Sequence, residues 1–100
     1  MIIYRGDRAT LVKSPKYPEG RLSVVPFKIG RLRMRVPFSF STDRAVAEKF
    51  ALAVVKPDNF SVPVIIVANA SKVRKTINWA WEREVVPIGT FTVERIEILE

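Results

Sequence analysis

Val62-Pro63-Val64-Ile65-Ile66-Val67-Ala68 is the longest uninterrupted apolar run in the chain. It leaves no position for a wet face, and a short run of this kind is the pattern of a strand buried on both sides. It is far short of the ~20 apolar residues that span a bilayer as a helix. The fold is therefore read outward from this segment as a central strand. On its N-terminal side, Thr42 or Asp43 caps a helix in which Val46, Ala47, Phe50, Ala51 and Val54 make one apolar stripe at helical spacing. Asp43 at the start also suits the helix dipole. Pro57, Asp58 and Asn59 close the helix with a turn. On the C-terminal side, Asn69 to Lys75 reads as a polar, basic loop and Ile77 to Val86 as an extended, aromatic-rich segment. Pro87, Ile88, Gly89 and Thr90 turn the chain into a last strand, Phe91 to Leu99. There Phe91 and Val93 share one phase while Ile96 and Ile98 share the other, which predicts a bulge near Glu94 and Arg95.

The N-terminal part is more broken. Ile2, Ile3 and Tyr4 predict an opening strand closed by Gly6 and Asp7, with Thr10 to Val12 as another short strand. Ser14 to Gly20 holds Pro15, Pro18 and a glycine, and reads as a loop. Leu22 to Ile29 and Arg31 to Phe38 flank Gly30 and predict a hairpin. Leu32, Met34 and Val36 face one way there, and Arg31, Arg33 and Arg35 the other. Strands outnumber helices and the strand–helix alternation of a parallel sheet is missing. The expectation is a single α+β domain over residues 1–100, a small and mainly antiparallel sheet with one clear helix.

Composition bounds the chemistry. The 100 residues are 48% apolar, which is the composition of one globular core. There is no cysteine, so disulfides and thiolate metal sites are excluded. With no histidine, the usual zinc ligand and the histidine-dependent nucleophiles are excluded as well. Chemistry falls to carboxylates, hydroxyls, Arg, Lys and Tyr. Missing Cys and Gln beside abundant Arg, Lys, Glu, Val and Ile fits a thermophilic source. The apolar N-terminus is too short for a signal peptide. The chain thus reads as soluble, unprocessed and cytoplasmic, with no membrane partner. A net charge of +7 favours anionic partners: nucleic acid, a phosphate-bearing cofactor or an acidic surface.

The four glycines are scattered and form no phosphate loop. Three local clusters carry chemistry. In Tyr4-Arg5-Gly6, an arginine at a strand end aims a planar, permanently charged fork at a phosphate, and the glycine lets a ligand approach the backbone. In Phe38-Ser39-Phe40-Ser41-Thr42, the two hydroxyls at Ser39 and Ser41 share one side of an extended segment. In Trp81-Glu82-Arg83-Glu84, the two carboxylates project the same way, ~6.5–7 Å apart along a strand. Each cluster also has a plainer reading: a surface Arg with a turn Gly, core phenylalanines beside a helix cap, and a solvated face bearing two glutamates.

Taken in order, the clusters resemble the Arg–Ser–Glu class of ADP-ribosyltransferases. That family has an arginine on its first strand, then Ser-Thr-Ser leading into a helix with the pattern A-x-x-F. Last comes Glu-x-Glu followed by apolar residues, proline, glycine and a final strand. Arg5, Ser39, Ala47, Phe50, Glu82, Glu84, Val85-Val86-Pro87 and Gly89-Thr90 fall on these positions. The departures are Phe40 in place of the middle Thr, a shorter chain, and a short Pro57 to Ser61 segment where Phe60 is the aromatic able to stack on a ring. The resemblance implies an ADP-ribosyltransferase-like fold with NAD as substrate. It places Glu84 at the ribose, Ser39 as its positioner, and Glu82 as the orienter of the acceptor. Arg5 and the backbone of Gly6 hold the cofactor, with Tyr4, Ser41 and Phe60 around it. The acceptor is a protein or nucleic acid, or water. Cleaving the nicotinamide–ribose bond builds up a sugar cation and expels a neutral base, so a carboxylate is required and a general acid is not. The alternative is a non-catalytic basic module that contacts nucleic acid or an acidic protein through Arg31, Arg33 and Arg35, with Lys72, Arg74 and Lys75. Trp79 and Trp81 read as buried anchors.

Overall fold

The computed structural model describes residues 1–24, 26–34, 38–53, 61–76 and 83–99. Within them the chain forms β1 (Ile2–Ser14), β2 (Tyr17–Ser23), β3 (Gly30–Arg33), β4 (Phe40–Ser41), α1 (Arg44–Leu52), β5 (Ser61–Asn69), β6 (Val73–Lys75), β7 (Glu84–Pro87) and β8 (Thr90–Ile98). Among the described residues the pairings are antiparallel and one helix is present, so the fold is α+β. No helix among them is long and apolar enough to cross a membrane. Val36, Val54, the Pro57–Asn59 turn and the aromatic stretch with Trp79 and Trp81 lie outside the described residues.

The central strand stands where its apolar run predicts. Val64 to Ala68 are all buried in β5. β5 is flanked on one side by β1, from Ile2↔Asn69 to Thr10↔Ser61, and on the other by β8. Its alternate residues feed two cores. Ile65 and Val67 pack under α1 with Ala47 and Ala51, while Val64, Ile66 and Ala68 join Ile3, Phe40, Val85, Phe91 and Val93 on the opposite face. The sheet order is β3-β8-β5-β1-β4-β7-β6, with β2 paired to β1. β7 and β8 are far apart in that order, yet Ile88 and Gly89 alone join them. The sheet therefore folds over. β4, β7 and β6 form a second layer across the core, and the Phe40 and Phe91 rings meet edge-on at 5.7 Å between the layers. Gly89, at φ +75°, makes the corner with a backbone that L side chains rarely adopt. The bulge falls where the phase change predicts: Val67 pairs with Arg95 and Ala68 with Val93, leaving Glu94 as the extra residue.

Four local expectations give way. First, Gly6 and Asp7 do not close a strand, and β1 runs on through them to Ser14. Second, the predicted loop over Ser14 to Gly20 shrinks to a turn at Pro15 and Lys16, and Tyr17 onward forms β2 against β1. Third, the hairpin about Gly30 does not form. β3 pairs with β8, from Gly30↔Val93 to Arg33↔Thr90, because burying Leu32 beside Phe91 outweighs the local turn signal. β6 likewise takes part of the predicted polar loop and pairs with β7.

Asp43 caps α1, its carboxylate accepting from the Ala45 N–H at 2.9 Å. Val46, Ala47 and Ala51 are buried as the stripe predicts, but Phe50 is 49% exposed. The helix lies so close to β1 that the aromatic position turns outward. An ideal Cβ on Gly6 would sit 1.9 Å from the Ala47 carbonyl oxygen and 2.6 Å from the Ala51 nitrogen. At the start of the helix Arg44 bonds Glu48 and Glu97, and Arg95 also reaches Glu97. The Arg44 hydrogen bond, aided by Arg95, holds the Glu97 carboxyl below its ordinary range.

Candidate active site

β1 is the strand at which the two layers part. On the side away from β5 it is bridged by β4 at Tyr4↔Ser41 and rejoined by β2 only from Thr10↔Ser23. Between these points, among the described residues, that edge of β1 has no strand partner. Alternate peptide groups between Arg5 and Ala9 therefore point into the fork, where the Arg8 N–H donates to Asp7 Oδ1 at 2.8 Å.

Side-chain alternation sorts the first cluster. Tyr4 and Gly6 face α1, Tyr4 packing on its small core. Arg5 and Asp7 face the other way. Arg5 Nη1 donates to the Ser39 carbonyl at 2.8 Å, and Nε donates to Asp7 Oδ2 at 3.3 Å. Its guanidinium lies 5.1 Å from the Phe38 ring centre and 5.6 Å from that of Phe27. Those rings meet edge-on at 5.3 Å. Two aromatic faces and two acceptors thus fix the plane of the cation. Among the described residues Nη2 has no hydrogen-bond partner, which leaves a charged donor for an anionic or polar ligand.

Ser39 immediately precedes β4. Its carbonyl receives Arg5 while its hydroxyl donates to Glu84 Oε1. Glu84 opens β7, directly opposite Ser41, with Phe40 opposite Val85. The backbone just before it is unusual: Arg83 has φ +46°, the left-handed region that a long side chain adopts at a cost of about 1 kcal/mol. The Arg83 carbonyl accepts from the Thr42 N–H at 3.2 Å and the Glu84 carbonyl accepts from the Thr76 N–H at 3.2 Å. These bonds hold the turn that presents Glu84. Arg5 and Glu84, distant in sequence, thus meet on Ser39, the cation at its carbonyl and the carboxylate at its hydroxyl.

No protein-family model, curated protein or solved structure matches the chain.

The other expected site residues are placed as follows. Ser41 is 4% exposed and its hydroxyl accepts from the Asp43 N–H at 3.0 Å, so it supports the entry to α1. Gly6 makes room for α1 on the face away from Arg5. Glu82 and Phe60 lie outside the described residues. Two partners of Arg5 escape the sequence reading. Asp7 was legible in principle, since residues two apart on a strand share a face. Phe27 was not, because its place depends on the bend after Val24, where Val24 and Phe27 form an isolated bridge.

Proposed function

We propose that this chain is a minimal ADP-ribosyltransferase-like protein that takes NAD as substrate and transfers ADP-ribose to a macromolecule or to water. The observation that carries the reading is the meeting of Arg5, Ser39 and Glu84 at the open edge of β1. NAD, when bound, supplies a ribose that becomes cationic as its bond to nicotinamide breaks, the electron pair leaving with a neutral base. The residues suit such a group: a fixed guanidinium with a spare donor for phosphate or ribose, the backbone of Gly6 at the open strand edge beside it for an amide, and a carboxylate for developing positive charge. Ser39 holds the Glu84 carboxylate in one orientation before substrate arrives, so little reorganisation is needed when charge appears. The acceptor hydroxyl or amine bonds to the ribose carbon, and its proton passes to a carboxylate or to solvent.

The test is to incubate the protein with NAD and follow nicotinamide release, with Glu84→Gln as the paired variant. Loss of one preorganised charge in such a site lowers turnover by about 10²–10³. Equal turnover by both proteins, or none with any acceptor offered, would remove the enzyme reading. A second reading, a basic module without catalysis, is favoured by Arg31 and Arg33 standing exposed on the outer strand β3. Arg35 lies outside the described residues. Nucleic-acid binding that falls steeply with salt and vanishes in the Arg31→Ser, Arg33→Ser variant distinguishes it.

A further inference from the structure

Past Thr10, β1 leaves β5 behind and continues as half of a two-stranded ribbon, paired Leu11↔Leu22, Val12↔Arg21 and Ser14↔Tyr17. The molecule measures 43 × 29 × 20 Å, and its long axis matches the roughly 40 Å that a strand of this length spans. Nothing among the described residues covers the ribbon. Val12, Lys13, Lys16, Tyr17, Glu19 and Arg21 are all exposed. At its base the ribbon packs on the main core through Leu22. A bare two-stranded ribbon is marginal in water, so its length is not explained by stability. Its charge is also unbalanced. Lys13, Lys16 and Arg21 face a single acid, Glu19, and none of the three has an ion-pair partner among the described residues. Lys16 and Arg21 instead flank one ring: their charged groups lie 5.7 Å and 5.2 Å from the centre of Tyr17. Two cations gathered on one ring repel each other, and a polyanion relieves that repulsion.

We infer that this ribbon is a DNA-docking arm that enters the major groove of a B-form duplex, with Lys13, Lys16 and Arg21 on the flanking phosphates. The groove is about 12 Å wide and admits a two-stranded ribbon, whereas the deep, narrow major groove of an A-form RNA duplex does not. The cations supply backbone contacts and no sequence readout. This role is independent of the NAD reading. Arg31 and Arg33 make the natural comparison, because they are exposed cations on the outer strand β3, where charge also guards against edge-to-edge pairing.

The test is fluorescence anisotropy of a labelled DNA duplex of about 20 base pairs, titrated with the full chain across a salt series. Three phosphate contacts predict that Lys13→Ser, Lys16→Ser, Arg21→Ser loses about 2.7 from the slope of log affinity against log salt. Raising salt from about 50 to 200 mM then weakens the parent protein roughly 40-fold more than the triple variant. Circular dichroism of the variant should overlay the parent, since the substituted side chains are exposed. Tyr17→Ser should weaken binding with the slope nearly kept. The inference is overturned by an unchanged slope in the triple variant, by absence of DNA binding at low salt, or by transfer of the whole effect to Arg31→Ser, Arg33→Ser. Equal affinity for an RNA duplex, or equal displacement of DNA by polyglutamate, overturns the groove assignment.

Discussion

Replacing Gly6 with alanine is expected to destabilise the protein by about 1–5 kcal/mol, through the contact between β1 and α1. The added Cβ would lie 1.9 Å from the Ala47 oxygen and 2.6 Å from the Ala51 nitrogen, both backbone atoms. No rotamer change relieves such a clash. Ordinary contact begins near 3.4 Å, so the helix must lift by about 1.5 Å. Overpacking of this kind costs about 1–3 kcal/mol, and a lifted helix also opens space above Ile65 and Val67, adding about 1–2 kcal/mol. Against this stands one opposing effect. Gly6 is not among the glycines with positive φ, so alanine fits its backbone and restricts the unfolded chain, returning about 0.4–1 kcal/mol. In a domain of this size each kcal/mol moves the melting midpoint by about 4–8 °C, so a fall of at least about 4 °C is expected. Thermal and urea unfolding followed by far-ultraviolet circular dichroism measure it. A midpoint equal to or above that of the parent would refute the placement of α1 on Gly6. A variant of full stability that no longer cleaves NAD would put a ligand, rather than the helix, against this glycine.

The remaining expectations concern single contacts. Arg5→Lys keeps the charge but loses the 2.8 Å bond to the Ser39 carbonyl and the guanidinium's contact with the Phe27 and Phe38 rings. It should lower stability by about 1–2 kcal/mol in urea unfolding and raise KM for NAD, and an unchanged KM would separate Arg5 from the substrate. Asp43→Ala removes the cap on the Ala45 N–H and should cost about 1 kcal/mol, with Asp43→Asn close to the parent; equal loss in both variants would argue against capping. Glu97 has its folded pKa lowered, first by the Arg44 hydrogen bond, so its contribution is present above the unfolded value of about 4.3 and is lost as pH falls through the folded value. Glu97→Gln should therefore show a shallower acid limb in stability against pH. Because both partners are more than a third exposed or nearly so, it should lose no more than about 1 kcal/mol at neutral pH.

What the sequence revealed depended on whether the signal was local. The buried run Val62 to Ala68, the Asp43 cap and the phase change at Glu94 are written in neighbouring residues, and each lies where expected. Gly6 misled because a glycine that punctuates a loop and one that admits a helix look alike in sequence. The hairpin about Gly30 misled for a different reason: β3 finds β8, some sixty residues on, and only the shared burial of Leu32 and Phe91 decides that pairing. In the site, residue types anticipated a cation, a hydroxyl and a carboxylate, and Arg5, Ser39 and Glu84 do come together. The aromatic cradle of Arg5 was illegible because Phe27 reaches it through an irregular bend. The exposure of Phe50 was illegible too, since helical spacing marks a stripe but not how deeply the helix is seated.

The extra residue in the last strand sets a rule for changes in chain length. The odd-numbered Phe91 and Val93 and the even-numbered Ile96 fill the same core, so β8 is written in two opposite parities spliced at one point. Glu94 is that splice. Deleting it would leave Arg95 beside Val93 and Val67 still opposite Arg95, an unbroken ladder with every later side chain on its present face. Deleting Arg95 would give the same ladder with Glu94 opposite Val67, whereas deleting Ile96 would turn Arg95 or Glu97 toward the phenylalanines. The strand can therefore shorten by one at the bulge without changing the face of Ile96.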